Sequence, residues 1–274
     1  MTTMDVHSKR PAASLALMLD WATEFGLTAQ QCLVGTRLTP AAVRNPSAEV
    51  SGQQELKVIT NIVAALGDRP GLGLQAASRY PVTAFGVWGF AILTSPTLGE
   101  AIDVAVRFVR LSYAFCSFET RRHGDDLSIV VDARAVPVPI RRFVLERDAA
   151  AIPNLYREIL GTSPPPSRIS FALPHPGAAV AVYEDMFGAE PAFDEAETSV
   201  TICAAQLNVP LPQASPHTET RRAAVPDAAR AAGGQNGPRG SGAGSVAGRP
   251  RSPTQPCTSG RSTVLQHQDA AQAA

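Results

Sequence analysis

Lysine is nearly absent from this chain of 274 residues, which has 24 basic residues but only two lysines, Lys9 and Lys57. Acidic residues also number 24, so the formal net charge at pH 7 is zero. A chain without a basic surplus lacks the electrostatic footprint of a protein that binds nucleic acid through its overall charge. The preference for arginine over lysine suggests a GC-rich gene.

Cysteine is also scarce, and its four positions lie far apart, with no C-x-x-C pair: Cys32, Cys116, Cys203 and Cys257. This spacing argues against a zinc site and against a disulfide scaffold, and it favours single buried thiols in a cytosolic protein. Long apolar runs are missing as well, so no segment predicts a membrane span. The apolar start SKRPAASLALMLDW is interrupted by Asp20, and no small-residue cleavage site follows it. The sequence therefore predicts a cytoplasmic protein without a membrane partner.

The last part of the chain has almost no core-forming residues. From Arg221 to Ala274 it contains no aromatic residue, isoleucine or lysine, and Leu265 is its one leucine. Its seven arginines and two aspartates give it a charge of +5, so the remainder carries −5. Such a composition cannot bury enough apolar surface to offset chain entropy. We expect a flexible N-terminus over residues 1–13, a folded domain over 14–217 and a disordered low-complexity tail over 218–274. Out-of-frame translation of a GC-rich gene yields Ala, Arg, Gly, Pro and Ser, so the tail is interpreted as a frameshift or truncation product; a natural disordered tail is the alternative.

The first half of the domain has the pattern of short capped helices. Residues that can cap a helix N-terminus precede apolar segments, namely Ser14, Thr28, Thr39 before Pro40, and Ser51 with Gln54 three residues later. The helix after Ser51 is predicted to bury Leu56, Ile59, Val63 and Leu66 and to stop at Gly67.

The stretch from Phe85 to Ala105, FGVWGFAILTSPTLGEAIDVA, is central to the predicted domain. Pro96 disfavours helix at the residue before it, so one helix is expected to end near Thr94. Thr97 and Glu100 form a T-x-x-E capping box that begins the next helix. The arrangement is only superficially similar to a DNA-reading helix-turn-helix motif, because no basic face follows the turn. We interpret Thr97 and Glu100 as a structural motif rather than as ligand contacts.

The second half mixes strands with helices. Residues 113–120 and 127–133 predict a β-hairpin that turns at Gly124-Asp125. Residues 140–160 predict a helix that Pro153 should kink or split, and 178–187 predict a shorter one. Further strands are expected at 168–174 and 199–204. Because no regular βαβ repeat occurs, the predicted fold class is α+β: a helix-rich amino-terminal half, a short antiparallel hairpin, and further strands packed on helices.

Motifs of catalysis and cofactor binding are missing or lack their context. The sequence contains no G-x-S-x-G, H-E-x-x-H or P-loop pattern. Gly71, Gly73 and Ala76 fit the dinucleotide fingerprint G-x-G-x-x-A, but no strand precedes them, so a helix start is the preferred interpretation. A metal or haem role for His123 or His175 would need a second ligand, which the sequence does not indicate. We therefore predict no enzyme, no cofactor and no metal.

The predicted helix over 140–160 carries a group of charged residues near its start. Glu146 and Asp148 lie beside Arg141, Arg142 and Arg147. Charges so grouped on a helix usually form a solvated face with i,i+4 pairing. We predict that face rather than a general acid/base pair.

An aromatic cluster is the candidate binding site. Six aromatic residues and one basic neighbour fall within 34 residues, and we predict them as candidates for an effector pocket: Phe85, Trp88, Phe90, Arg110, Tyr113, Phe115 and Phe118. Alternation on a hairpin strand would place Tyr113 and Phe115 on one face and Phe118 on the other. Aromatic concavities with few polar groups commonly bind small ligands. The alternative is that these side chains only fill the core, which is preferred for Trp88.

Four segments that follow one another along the chain carry a family resemblance: GLGLQAA (71–77), FGVWGFAILTSPTLGEAI (85–102), MFGAEPAFDEA (186–196) and LNVPLPQASPH (207–217). Together, over Ser14 to His217, they resemble the amino-terminal sensing domain of AraC-type (AraC/XylS) transcriptional regulators, in the arabinose-binding-like branch. The resemblance implies a small-molecule effector and a homodimer, and the aromatic cluster suggests that the effector is apolar. That family would continue into a domain of two helix-turn-helix units, whose pattern is missing after His217, so specific DNA binding is not expected from this chain alone. A free-standing small-molecule-binding or interaction module is the main alternative, and a small-molecule enzyme a weaker one.

Overall fold

The computed structural model describes residues 6–162 and 164–214, which form a mixture of helices and antiparallel sheet. The α-helices are α1 (Ala13–Thr23), α2 (Ala29–Cys32), α3 (Pro40–Val43), α4 (Gly52–Leu66), α5 (Leu72–Ala77), α6 (Gly86–Leu93), α7 (Leu98–Arg107), α8 (Arg141–Leu160), α9 (Val180–Phe187) and α10 (Ala204–Leu207). The strands are β1 (Lys9–Pro11), β2 (Glu49–Ser51), β3 (Ser117–His123), β4 (Asp126–Asp132), β5 (Arg168–Ser170) and β6 (Thr198–Ile202). The predicted α+β fold class is confirmed. The predicted tail over 218–274 lies outside the described residues.

The amino-terminal half is helical and held by side-chain caps. Thr28 with Gln31 and Ser51 with Gln54 form reciprocal capping boxes at α2 and α4, and Thr39 caps α3. The prediction that Ser14 caps the first helix is wrong: Ala12 occupies the N-cap of α1, and Ser14 is buried inside the helix.

The start of the chain is more ordered than its sequence suggested. The prediction of a loose segment over 1–13 is wrong from residue 9 onward, because Lys9–Pro11 is a strand and α1 begins at Ala13. Strand β1 pairs antiparallel with β2, so that Arg10 lies opposite Val50. Three-residue strands leave no periodic pattern, and this one depends on a partner 40 residues away.

Helix α4 buries a face slightly rotated from the predicted one. Ile59 and Val63 are buried as expected, but Val58 and Ile62 join them. Leu56 and Leu66 are only half-buried at the edge of this face.

The main sheet has the strand order β3-β4-β6-β5 with antiparallel pairing throughout. The predicted hairpin is present, with Gly124 and Asp125 between β3 and β4, although β3 begins at Ser117 rather than at Tyr113. Strand β4 lies inside the sheet and is buried over Leu127–Val131. Strands β5 and β6 and helix α9 fall within or close to their predicted ranges.

Helix α8 is the central helix, in contact with α5, α9 and β4. It runs unbroken from Arg141 to Leu160, so Pro153 does not split it. It ends at Gly161, whose left-handed backbone (φ +68°) lets the amide donate to the Arg157 carbonyl oxygen at 2.9 Å.

Helix α7 begins at the predicted turn. The Thr97 hydroxyl accepts a hydrogen bond from the Glu100 amide at 3.3 Å. The turn is also held by the end of the described chain, since Leu98 donates to the Val209 carbonyl at 3.1 Å and the Leu211 amide donates to the Pro96 carbonyl at 3.0 Å.

The three cysteines among the described residues are all buried. Cys32 and Cys116 are buried free thiols, as predicted. Cys203 is also buried, and Cys257 lies outside the described residues. Among the described residues, no helix combines the length and the apolar character that crossing a bilayer requires.

Candidate effector-binding cavity

A cavity of about 100 Å³ lies where helices α5 to α8 meet the hairpin. Most of its wall is hydrocarbon, supplied by aliphatic and aromatic side chains: Ala77, Phe85, Ile92, Leu98, Ala101, Ile102, Ala105, Val106, Val109, Ala114, Phe118, Ile129, Ala151, Ile152, Leu155 and Ile159. Its polar wall residues are Tyr80, Trp88, Ser112, Tyr113, Arg147, Asp148, Asn154 and Tyr156. A mostly apolar concavity with a few polar groups has the composition of a small-molecule site.

Four of the predicted pocket residues line this cavity: Phe85, Trp88, Tyr113 and Phe118. The Phe85 ring lies 5.1 Å from the Trp88 ring and 5.2 Å from the Tyr113 ring, measured between centroids. These distances fall within the range of favourable tilted aromatic pairs. The Trp88 indole N–H donates to the Ala105 carbonyl at 3.3 Å, so this side chain also helps to hold α6 against α7.

The other three predicted residues, Phe90, Arg110 and Phe115, do not line the cavity. Phe90 is half-buried on α6 and lies two residues from Trp88, which turns it to a different side of the helix. Arg110 is half-buried in the short 3₁₀ turn Val109–Leu111. Phe115 precedes β3, so the strand alternation used to place it does not apply.

Phe115 instead packs between two buried arginines that belong to a cluster of charges. The Arg10 guanidinium lies 4.4 Å from the centre of the Phe115 ring, and that of Arg147 lies 5.4 Å from it. Both distances are those of cation–π contacts. We call Arg10, Glu55, Arg147 and Asp148 the buried charge cluster; the exposed fraction of each is 9% or less.

Ion pairs join the cluster into one neutral unit. Arg10 Nε lies 3.3 Å from Glu55 Oε2, and Arg147 Nη1 lies 3.6 Å from Glu55 Oε1. Arg147 Nη2 lies 2.8 Å from Asp148 Oδ1. Two positive and two negative charges therefore compensate one another out of contact with water.

Hydrogen bonds connect the cluster to the chain around the cavity, although the three Arg10 nitrogens, Glu55 Oε2 and Arg147 Nη1 have no hydrogen-bond partner among the described residues. The second oxygen of Asp148 accepts bonds from the amides of Phe115 and Cys116 at 2.7 and 2.8 Å. Glu55 accepts a bond from the Ser14 hydroxyl, which is also paired with the Tyr80 hydroxyl at 3.1 Å. Burial raises the pKa of Tyr80 to about 12, so the phenol remains protonated at neutral pH.

The prediction of a solvated charged face on α8 is wrong at its centre, since Glu146, Arg147 and Asp148 are all buried. The reason is the position of the helix, which is covered on several sides at once. A signal was present in the sequence: apolar residues stand on both sides of this triplet, at 143–145 and 149–153, as in a helix that is buried all round. Sequence reasoning thereby missed the α8 contribution to the cavity and also Tyr80.

Glu146 explains the two glycines that imitate a dinucleotide motif. Its carboxylate accepts bonds from the amides of Gly71 and Gly73 at 3.1 and 2.9 Å and from the Tyr183 hydroxyl. A Cβ on Gly73 would lie 2.1 Å from the Phe143 carbonyl oxygen, so glycine is required for α5 to pack on α8. The preferred interpretation of this segment as a helix start fits the structure, and an internal carboxylate lies at the N-terminus of α5.

Metal ligands do not converge in the part of the chain that the structure describes: it holds no group of three or more His, Cys, Asp or Glu side chains suited to a metal ion. His123 and His175 are both exposed. His175 Nδ1 accepts a bond from the Gly177 amide at 3.0 Å, which is a local turn contact.

The sequence matches one known family model and several known transcriptional regulators. Residues 26–211 match the model of the family described as the arabinose-binding domain of AraC transcription regulators, N-terminal. Two relatives named as uncharacterized HTH-type transcriptional regulators, Rv1395 of Mycobacterium tuberculosis and Mb1430 of Mycobacterium bovis, are each 30% identical over 229 residues, covering 77% of this chain and 62% of the relative. The ornithine utilization regulator of Pseudomonas aeruginosa is 28% identical over 218 residues, covering 76% of this chain and 61% of that protein.

A solved structure shows the same fold. The transcriptional regulator CdpR from Pseudomonas aeruginosa superposes with a TM-score of 0.51 at 20% sequence identity, covering 76% of this chain and 61% of that one. The chain thus spans about 62% of the length of the first two relatives. The family match extends over most of the resemblance recognised from Ser14 to His217. The chain therefore belongs to the family of AraC-type transcriptional regulators, and its described part is their arabinose-binding-like sensing domain.

Proposed function

We propose that the chain senses a small-molecule effector in the cavity between α5–α8 and the hairpin, as the effector-sensing and dimerisation part of a cytoplasmic AraC-type regulator. The supporting observation is the cavity itself, whose wall consists mainly of aromatic and aliphatic side chains and includes Arg147 and Asp148. The effector acts through its different affinity for two arrangements of the dimer.

Binding to the whole chain tests this proposal. A panel of small molecules that includes L-arabinose and L-ornithine, suggested by the descriptions of the family and of one relative, is screened by thermal unfolding. A ligand at a hundred times its Kd stabilises the folded state by about 2.7 kcal/mol.

A pair of variants locates the site. Ala151→Leu places added bulk in the cavity and should abolish the stabilisation by any effector bound there. Ala41→Leu makes the same change on the exposed surface of α3 and should leave it intact. A ligand that stabilises both variants equally binds elsewhere and contradicts the proposed site.

We also propose that the chain is a homodimer, as the family resemblance implies. We propose further that it lacks specific DNA binding on its own, because the composition after residue 217 offers no helix-turn-helix pattern. Sedimentation equilibrium should give twice the 28.8 kDa of one chain. A complex with a defined operator that survives physiological salt would favour the opposite view. A free-standing binding module is the alternative if an effector binds but the chain remains monomeric.

A further inference from the structure

Strand β3 forms an open edge of the main sheet. Strand β5, at the other edge, is covered by the segment around Ala192, whose amide donates to the Ile169 carbonyl at 3.0 Å. Within the described part of the chain, β3 pairs with β4 alone. It is seven residues long and contains neither a proline nor a bulge, since each of its residues has one partner on β4. Its backbone is therefore suited to pairing with a further strand.

The hairpin turn determines which backbone groups of β3 point away from β4. His123 and Asp126 flank the two-residue turn as a pair, so they exchange the hydrogen bonds that close it. Because hydrogen-bonded pairs alternate along an antiparallel ladder, the N–H and C=O groups of Phe118, Thr120 and Arg122 point outward. These groups form no backbone hydrogen bond with other described residues. The edge thus offers donors and acceptors in a regular row.

The charges of β3 favour one antiparallel register between two copies of the strand. Pairing about Thr120 sets Glu119 opposite the partner's Arg121. The same register sets Phe118 opposite the partner's Arg122, so all the outward backbone groups meet. Pairing centred one residue earlier or later would set Glu119 opposite the partner's Glu119, or Arg121 opposite the partner's Arg121, and like charges directly opposite are destabilising. Of these three registers, the charges are self-complementary only in the one centred on Thr120.

The charged side chains leave the open edge itself uncovered. Arg121 Nε lies 2.9 Å from Glu119 and Arg121 Nη1 lies 2.6 Å from Glu197, so these groups are held together on one face of the sheet. Phe118 points to the other face, where it is part of the cavity wall. The strand with the open edge therefore also borders the candidate effector site.

We propose that β3 is the dimerisation surface and that it pairs with β3 of a second copy, antiparallel about Thr120. This pairing joins the two four-stranded sheets into one. The inference rests on the proposed homodimer and adds the surface through which it forms. Since Phe118 belongs both to the cavity wall and to the pairing strand, a bound effector that contacts Phe118 acts directly on the strand that joins the copies.

Two charge reversals test the proposal on the whole chain by sedimentation equilibrium. Glu119→Arg and Arg121→Glu each set like charges opposite one another, and each should weaken dimerisation by about tenfold. An equimolar mixture of the two variants should form heterodimers with close to the parental affinity, because every pair between positions 119 and 121 is then opposite in charge. Glu190→Arg, which reverses an exposed charge two residues before Ala192, is the matched control and should dimerise as the parent does.

The other outcomes overturn the proposal at distinguishable points. Dimerisation of both variants at parental strength places the interface elsewhere while the homodimer stands, and weakened variants whose mixture does not recover contradict the register. A parent chain that stays monomeric contradicts the homodimer itself, and effector sensing is then judged separately by Ala151→Leu. A parent that dimerises only after residues 218–274 are removed assigns the edge to that segment instead.

A disulfide measures the same register if a charge reversal unfolds the chain. In the proposed dimer the two Cα atoms at position 120 lie about 5.5 Å apart, within the span of a disulfide. Thr120→Cys should therefore cross-link two chains on oxidation. Arg122→Cys, on the same strand but opposite Phe118 of the other copy, should not. Absence of the first cross-link, or equal cross-linking of both variants, overturns the proposal.

Discussion

Individual buried carboxylates determine much of the internal structure of this domain. Glu55 and Glu146 are both 0% exposed, and each is held by partners from distant parts of the chain. Glu55 joins Arg10 to Arg147, and Glu146 joins α5 to α8. Removing one member of such a unit leaves the other buried without its partner, so single substitutions should be costly.

Glu55→Ala should lower the free energy of unfolding by about 3–5 kcal/mol, because it leaves the buried Arg10 guanidinium without a counter-charge and removes one of the two carboxylates beside Arg147. Urea unfolding measures the change. Glu49→Ala on β2 is the matched control, since Glu49 is exposed and its loss should stay within about 0.5 kcal/mol. Equal small effects for both variants would show that the buried charge cluster adds little to stability.

Glu146 should make stability depend on pH. Burial raises its pKa to about 7 from 4.5, against the hydrogen bonds from Tyr183, Gly71 and Gly73 and the charge of Arg142, which lower it. Between about pH 4.5 and pH 7, the folded state therefore keeps a proton on Glu146 that the unfolded state has released. The stabilisation is complete below pH 4.5 and is lost as the pH rises through 7, a change of about 3 kcal/mol.

Glu146→Gln removes this titration while keeping an acceptor oxygen for the glycine amides. Unfolding free energies of the parent and the variant are compared at pH 4 and pH 8. Raising the pH from 4 to 8 should lower the free energy of unfolding of the parent relative to that of the variant. A difference that stays constant over this range would mean that Glu146 titrates alike in the folded and unfolded states.

Caps and close contacts organise the secondary-structure elements. Thr97 begins α7 through its hydroxyl, and the same turn pairs with residues 209–211. Because α7 contributes to the cavity wall, the direction set at this turn also positions the candidate site.

Thr97→Ala should lower the free energy of unfolding by about 1 kcal/mol, the usual effect of losing an N-cap acceptor. Glu100→Ala should cost less, because its backbone amide still donates to the Thr97 hydroxyl, and the double variant should differ from the sum of the two because the residues are neighbours at the start of α7. Urea unfolding of the three variants decides between a cap and a ligand contact. Negligible, additive shifts together with a lost effector response would assign Glu100 to ligand binding instead.

Adjacent residues were enough to predict most helices and the hairpin turn. Features that depend on contacts between distant residues could not be predicted in this way. The caps of α2, α3 and α4 and the turn at Gly124-Asp125 follow from a few adjacent residues. Strand β1 exists only through pairing with β2, and the charges of α8 are buried only because other elements cover that helix. For the same reason the aromatic part of the cavity could be anticipated from one stretch of sequence, whereas Tyr156 could not.

At the scale of the whole molecule, the end of the described chain packs against the middle of the fold. Residues 209–211 return to the start of α7, and β6 lies between β4 and β5 in the main sheet. Leu211, which is buried, adds to the core at this closing point. Residues 209–211 thus join the end of the described chain to its interior.

A chain shortened by removal of residues 218–274 should keep the unfolding temperature and the ligand affinity of the full chain, since the closing contacts are retained. A chain shortened by removal of residues 208–274 should unfold at a lower temperature, because Val209 and Leu211 no longer pair with the α7 turn. Thermal unfolding of the three proteins measures this. A marked loss of stability in the first shortened chain would extend the domain beyond residue 217.

The carboxyl group of Glu146 at the N-terminus of α5 determines which other groups can reach that helix end. Helix N-termini after glycine turns commonly attract phosphates from nucleotides, but here the amides of Gly71 and Gly73 already donate to the carboxyl oxygens of Glu146. A phosphate could bind at the start of α5 only by displacing this side chain, so the segment is closed to nucleotides while the contact holds.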